Sequence, residues 1–355
     1  MSRARAEVRR PGAQHDSRRR GCFDPERRGP EGEGVSVTEP QPQQSWVKVF
    51  APASIGNLGP GFDSLGVALE GLGDTIEARR IETPGVRIIE MTGEKENIPT
   101  DPARNCAGRA AESVLKQLKG KAAKEAGLEM KLHKGLPQGS GLGSSAASAV
   151  GGAVAAHLLF GSALGRNIRL EAPLAAEILG SGGRHADNLA ASLLGGFTIV
   201  RSHEPLDVIR LEMPSSFRFV VVLPGMEIET RYARSVLPEV ISLKDAASNW
   251  ANTAALVAAV AQGKPADFGR AVVDRVVEPV RSKLVPGFSE VKHAALEAGA
   301  HGCSISGAGP ALFAVASVDA AERVALAMQA AFQRHGLPGR HFICPPDNRG
   351  ARRLD

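Results

Sequence analysis

The run Pro137-Gln138-Gly139-Ser140-Gly141-Leu142-Gly143-Ser144-Ser145-Ala146-Ala147-Ser148 carries a glycine-rich loop into a long alanine-rich apolar segment. Glycines let a backbone take positive φ and come close to a ligand. The paired serines fall where a helix would begin, and a helix N-terminus offers free N–H donors and the positive end of its dipole. The chemistry this composition suits is phosphate binding. A Walker A loop is excluded, because the Gly-Lys pairs at Gly120-Lys121 and Gly263-Lys264 are followed by Ala122 and Pro265 rather than Ser or Thr. A dinucleotide fingerprint fails at its third glycine, where Ser144 stands. Taken alone, the segment leaves open a flexible loop ahead of a core helix.

Two distant segments share its character of small residues around isolated polar groups. One is Ala51-Pro52-Ala53-Ser54-Ile55-Gly56-Asn57-Leu58-Gly59-Pro60-Gly61-Phe62-Asp63, and the other is Ser304-Ile305-Ser306-Gly307-Ala308-Gly309-Pro310-Ala311. A strand, a Ser-Gly-Ala-Gly-Pro turn and a second strand would bring backbone close to a ligand. Other polar patterns carry less. Asp267-Phe268-Gly269 spells a protein-kinase metal triplet but lacks the catalytic-loop and lysine-strand motifs that accompany it. His185 and Asp187 have no third metal ligand at suitable spacing.

The elements that must hold these segments are legible from apolar periodicity. Strands are expected at Trp46–Phe50, ended by Ala51-Pro52-Ala53, and at Thr75–Ile81, Val86–Met91 and Leu128–His133. Helices are expected at Asn105–Lys119, Ala146–Phe160, Leu174–Leu179 (ended by Gly182-Gly183) and Asp187–Leu194. The strands Phe197–Arg201 and Arg218–Leu223 follow, then helices at Ala246–Gln262, Asp267–Val277 and Phe288–Ala298. A β-β-α-β tail of Cys303–Ser306, Leu312–Ala316, Ala320–His335 and His341–Ile343 closes the pattern. The composition change at Glu204–Pro214 marks a domain boundary, giving domains at 46–210 and 211–345 and a tail at 346–355.

A chain of 355 residues is long for one hydrophobic core, and two domains are expected. Of the net charge of +5, residues 1–45 carry +2, so the remainder is nearly balanced and asks for no nucleic-acid partner. Aromatic content of 4% disfavours base-stacking platforms. Residues 1–45 are poor in aliphatics and read as a disordered extension. Their arginines fit an organellar transit peptide, while their acidic residues and few serines do not. No apolar run suggests a membrane span, and four cysteines without a Cys-x-x-Cys pair fit a reduced, cytoplasmic protein.

The three segments, in their order, resemble the motifs of the GHMP kinase family, and His185-Ala186-Asp187-Asn188 strengthens the likeness to the branch that phosphorylates L-homoserine. The resemblance spans roughly 46–345. It implies an α+β fold of two domains, the N-terminal half ribosomal S5 domain 2-like and the C-terminal half ferredoxin-like. ATP and a small-molecule substrate would meet in the cleft between them. The nucleotide would lie on Pro137, Gln138, Gly139, Ser140, Gly141, Leu142, Gly143, Ser144, Ser145, Ala146 and Ala147. Lys134 would touch a phosphate and Asn105 the adenine side. Ser145 and Glu177 would hold Mg²⁺.

The same resemblance assigns Arg234 and Arg281 to the substrate carboxylate, which the guanidinium fork suits. Thr230 would share a helical face with Arg234, and Asp63 would take the ammonium. Asn57 and Asn188 would orient the reacting hydroxyl, with Asp187 beside them. Asn188 and Arg234 would carry the catalytic roles. The family's early Pro-Gly-Lys is replaced by Pro52-Ala53-Ser54, so its lysine–aspartate base is missing as a pair. A homodimer follows only by analogy. Two alternatives stay open: another small-molecule kinase of the family, such as one acting on mevalonate, and a nucleotide-binding scaffold without turnover.

Overall fold

The computed structural model describes residues 45–94, 98–118, 124–161, 166–181 and 185–354. The expected disorder of residues 1–45 and the Gly182-Gly183 helix end fall outside them, Ser45 excepted.

The chain begins with β1 (Val47–Gly56), β2 (Leu65–Ile81) and β3 (Gly85–Gly93), then α1 (Cys106–Leu115) and β4 (Gly127–Lys134). α2 (Ser144–Phe160), α3 (Arg166–Ser181) and α4 (Asp187–Leu194) follow, and β5 (Phe197–His203) and β6 (Leu206–Leu211) complete this half. These strands form a sheet in the order β11-β1-β2-β4-β3, with β5 on β2 and β6 on β5. β11 (Arg352–Leu354) comes from the far end of the chain. Within the stretch 346–355, read from sequence as a tail, Arg352–Leu354 therefore returns to extend the first sheet: Lys48, Val49 and Phe50 pair with Leu354, Arg353 and Arg352.

The second half runs β7 (Arg218–Pro224), α5 (Thr230–Ser235), α6 (Leu243–Gln262), α7 (Pro265–Ala271), α8 (Glu278–Arg281) and α9 (Phe288–Glu297). It ends with β8 (Gly302–Ile305), β9 (Leu312–Ala316), α10 (Val318–Arg334) and β10 (Gly339–Cys344), and its antiparallel sheet has the order β10-β7-β9-β8. β7 reads as an unbroken apolar run because both of its faces are buried. Phe219, Val221 and Leu223 join the core that fills the first sheet, while Val220 and Val222 join a second core with α9 and α10. Phe268 sits edge-on to Phe197, Phe217 and Phe219, with centroids 5.4–6.3 Å apart. The Asp267-Phe268-Gly269 triplet is thus core packing between the two sheets.

Three boundaries differ from expectation for local reasons. β1 continues through Ala51-Pro52-Ala53 to Gly56, because a register shift at Pro52/Ala53 absorbs the proline. The helix expected over Asp267–Val277 stops at Ala271. There the Asp274 carboxylate takes the N–H groups of Val276, Val277 and Glu278 at 2.8–3.0 Å, offering the backbone an alternative to helix. β6 occupies the stretch read as a boundary, pairing Leu206–Leu211 with β5.

α2 is buried almost all round. A Cβ on Gly151 would strike Ile76, and one on Gly152 would strike the Ala107 carbonyl. These two glycines let α2 lie close on β2 and α1, which fixes where its N-terminus points. Among the described residues, no helix is long and apolar enough to cross a membrane.

Candidate active site

The three small-residue segments are joined through their backbones. Ser54 N–H donates to the Leu142 carbonyl at 3.1 Å, and Ala311 N–H to the Ser140 carbonyl at 3.2 Å. Ser306 Oγ donates to the Gly141 carbonyl at 2.7 Å, and Gly307 N–H to Gly56 O at 3.3 Å. Gly141, at φ +80°, packs so tightly on the Ser306–Gly309 turn that a side chain there would meet carbonyl oxygens. The loop, the end of β1 and the β8–β9 turn therefore form one wall of a cleft of about 660 Å³.

At one end of the cleft the loop delivers α2, whose first residue follows Gly143 at φ +68°. The N–H groups of the first turn have no intrahelical acceptor. Gln138, Gly139, Ser140, Gly141, Gly143, Ser144 and Ser145 all line the cleft. Leu142, Ala146 and Ala147 do not; they are buried beneath the loop. Pro137 faces a separate cavity on the loop's other side. Ser145 Oγ donates to Glu177 Oε2 at 3.2 Å, bringing a hydroxyl and a carboxylate together from α2 and α3. Among the described residues no group of three or more His, Cys, Asp or Glu could hold a metal. A hydroxyl and one carboxylate suit Mg²⁺, which takes few protein oxygens and completes its shell with phosphate and water.

Lys134 and Asn105 both line the cleft, and both are also held by protein partners. Lys134 is 1% exposed, and its ammonium pairs with Asp74. It also donates to Ser144 Oγ at 2.9 Å, Ser144 O at 3.2 Å and Ser148 Oγ at 2.8 Å. Four acceptors take up its three N–H donors, so Lys134 braces the loop from the floor of the cleft, which it lines. Asn105 is the N-cap of α1: its Oδ1 accepts from Ala107 and Gly108, and its Nδ2 donates to the Pro99 carbonyl at 2.9 Å. It lines the cleft with Ile98 and Pro99 while capping the helix.

The opposite end gathers the expected substrate residues. Arg234, on α5, forms two parallel bonds to Asp63, Nη1 to Oδ2 at 3.0 Å and Nη2 to Oδ1 at 2.8 Å. Thr230 opens the same helix one turn earlier and lines the cleft. Arg281 is 3% exposed and donates to the Ala233 carbonyl at 2.9 Å and the Gly307 carbonyl at 3.1 Å. Both guanidiniums lie over the Phe62 ring, at 5.1 and 5.4 Å. Burial, and then the neighbouring Arg234, lower the Arg281 pKa to about 10. His185 Nδ1 lies 3.1 Å from Arg234 Nη2. Since guanidinium only donates, that nitrogen accepts and the ring proton sits on Nε2. Burial lowers the His185 pKa in spite of the adjacent Asp63. His185 Nε2 and Arg234 Nε are both buried without a hydrogen-bond partner.

Asn57 is locked within the wall. At φ +66° its Oδ1 accepts the Asp63 N–H at 2.9 Å and its Nδ2 donates to the Gly307 carbonyl at 2.9 Å. It shapes the turn that presents Asp63, and it lines the cleft with one N–H and one oxygen lone pair of its amide beyond these two bonds. Asn188 accepts the Ser54 hydroxyl at 2.9 Å through Oδ1, which leaves its Nδ2 toward Asp187 at 3.5 Å. Burial, and then the charge of Asp63, raise the Asp187 pKa to about 7. Gly56 backs directly onto both side chains. Asp74 and Ser148 are polar groups of this site to which the sequence reading gave no role, and Ser54 was read only as a replacement for a lysine. Asp74 and Ser148 had no signal beyond being polar in apolar runs.

The chain is similar to known proteins along most of its length. Residues 105–196 match the family model of the GHMP kinases N terminal domain, and residues 256–334 that of the GHMP kinases C terminal. The chain is 46% identical over 293 residues to a homoserine kinase of Arabidopsis thaliana, covering 81% of this chain and 78% of that relative. It is 40% identical to a homoserine kinase of Chlorobium phaeobacteroides (strain BS1), covering 85% and 98%. The crystal structure of homoserine kinase from Cytophaga hutchinsonii superposes with a TM-score of 0.83 at 39% identity, covering 89% of this chain and all of that one.

Proposed function

The chain belongs to the GHMP kinase family, and from that premise we propose that its cleft transfers the γ-phosphoryl group of ATP to the side-chain hydroxyl of L-homoserine. The products are ADP and O-phospho-L-homoserine, a step toward threonine. One observation carries the assignment of substrate to this end of the cleft. Asp63 and Arg234 oppose a negative and a positive charge at 2.8–3.0 Å, with Arg281 over the same Phe62 ring and the Arg234 Nε and His185 Nε2 donors unused. An α-amino acid presents an ammonium and a carboxylate in complementary order.

In this reading the loop and the first turn of α2 cradle the phosphates through backbone N–H groups. Ser145 and Glu177 would hold Mg²⁺, which supplies charge neutralisation for the phosphates when bound. Asp63 takes the ammonium, and Arg234 and Arg281 take the carboxylate. The hydroxyl then lies at the Asn188 end, where Asn188 Nδ2 orients it toward the phosphates. The new O–P bond forms as the bond to the ADP oxygen breaks, and the hydroxyl proton leaves late to the transferred phosphate. No strong protein base is required, because phosphoryl transfer is governed by positioning and charge stabilisation. Ser54, where the family's lysine stands, supports Asn188 rather than a base. Full kcat in Asn188→Ala would exclude the orienting role.

Three free thiols among the described cysteines fit a cytoplasmic enzyme, and a homodimer remains part of the same proposal. The test is ADP release from Mg-ATP with homoserine, mevalonate, galactose and shikimate in parallel. Turnover is expected with homoserine alone.

A further inference from the structure

Asp74 lies on β2, outside all three segments, and is fully buried. Its Oδ1 accepts the Gly135 N–H at 3.0 Å. Its Oδ2 accepts the Ser148 hydroxyl at 2.7 Å and pairs with the Lys134 ammonium. Lys134 and Gly135 enter the glycine-rich loop, and Ser148 lies on the helix by which the chain leaves it. Lys134 closes the same gap again through Ser144 and Ser148, and Ser144 Oγ donates to the Leu136 carbonyl at 3.0 Å. Every donor and acceptor in this buried cluster is used, which is the condition under which such a network fixes one geometry.

The loop between these stems has little stiffness of its own, since Gly139, Gly141 and Gly143 all stand at positive φ. Its shape is set by its neck and by the wall behind it. We propose that Asp74 is a positioning residue for the nucleotide. It clamps the two stems of the 135–143 loop so that the backbone N–H groups converge on the ATP phosphates, and it sets ATP affinity without touching ATP. This rests on the reading of the loop as the phosphate site.

Asp74→Asn alone would strand the buried Lys134 charge, and removing one partner of a buried pair is strongly destabilising. The test therefore uses Asp74→Leu/Lys134→Met, which removes both charges together, and Ser148→Ala, which removes one arm and keeps the ion pair. Steady-state constants, ATP binding by calorimetry and melting temperature are measured on each full-length protein. The double variant is expected to raise KM for ATP at least tenfold and Ser148→Ala about threefold. In both, KM for homoserine stays within twofold and kcat at saturating ATP within threefold. Glu77→Gln, on the same strand in a surface pair with Lys48, leaves all three constants unchanged. A purely structural role would lower the melting temperature without this split between substrates. The proposal is overturned if folded variants bind ATP within twofold of the wild type; should the double variant not fold, Ser148→Ala decides on the same criterion. Failure of the wild-type protein to bind ATP overturns the loop reading itself.

Discussion

Arg234 holds Asp63 through two parallel N–H···O bonds across 171 residues of sequence. The charges expected to receive the two ends of an amino acid are in contact with each other. A zwitterion exchanges one ion pair for two, whereas a molecule with a single charge breaks the pair and leaves one partner uncompensated. Charge-assisted bonds of this kind are worth about 1.5–3 kcal/mol each. Arg234→Leu is therefore expected to raise KM for homoserine roughly 30- to 100-fold with KM for ATP nearly unchanged. Steady-state kinetics with each substrate varied in turn check this, and 4-hydroxybutyrate, which lacks the ammonium, should be turned over poorly by the wild type.

Gly56 is the backing of the hydroxyl end. A Cβ there would overlap Asp187 Oδ2 and Asn188 Nδ2. Gly56→Ala is expected to lower kcat more than tenfold by displacing Asn188, at a stability cost of ~1–3 kcal/mol from overpacking. Circular dichroism and denaturant midpoints separate the two effects.

Ser145 and Glu177 meet at 3.2 Å beside the loop. If they hold the cation, Glu177→Gln shifts the Mg²⁺ concentration for half-maximal rate upward by about tenfold, on the order of 1.4 kcal/mol. Homoserine affinity should be unaffected. A Mg²⁺ titration at fixed ATP reads this directly.

The proton on Asp187 gives a stability signature. Its pKa rises from 3.8 to about 7 in the folded protein, chiefly by burial. Between those values the folded chain holds a proton that the unfolded chain has lost, so this group's contribution to stability falls as pH rises. Below about pH 4 and above about pH 7 it is flat. Asp187→Asn should remove the decline, so denaturant unfolding of both proteins from pH 8 down to pH 4 should show the wild type gaining stability relative to the variant as pH falls.

Local features were legible in sequence, and long-range partnerships were not. The glycine-rich loop announces itself because its composition is its mechanism, and β7 was readable because burial on both faces leaves an unbroken apolar run. β6 was not, because six residues with only Leu206 buried carry too little periodicity beside Pro205. The resemblance brought Asp63, Asp187, Asn188, Arg234 and Arg281 to one cleft, but not the pairing of Asp63 with Arg234. Lys134 shows the limit most clearly. A lysine just before a phosphate loop reads as a phosphate ligand, and only the position of Asp74, 60 residues earlier on a neighbouring strand, turns it inward.

The central claim is phosphorylation of L-homoserine at this cleft. ³¹P NMR of the purified protein with Mg-ATP and L-homoserine tests it most directly. The account predicts a new phosphomonoester resonance growing with ADP in equal amount, greatly slowed in Arg234→Leu at subsaturating homoserine. ADP formation no faster with homoserine than without it, or a phosphomonoester formed from mevalonate in preference, would contradict it.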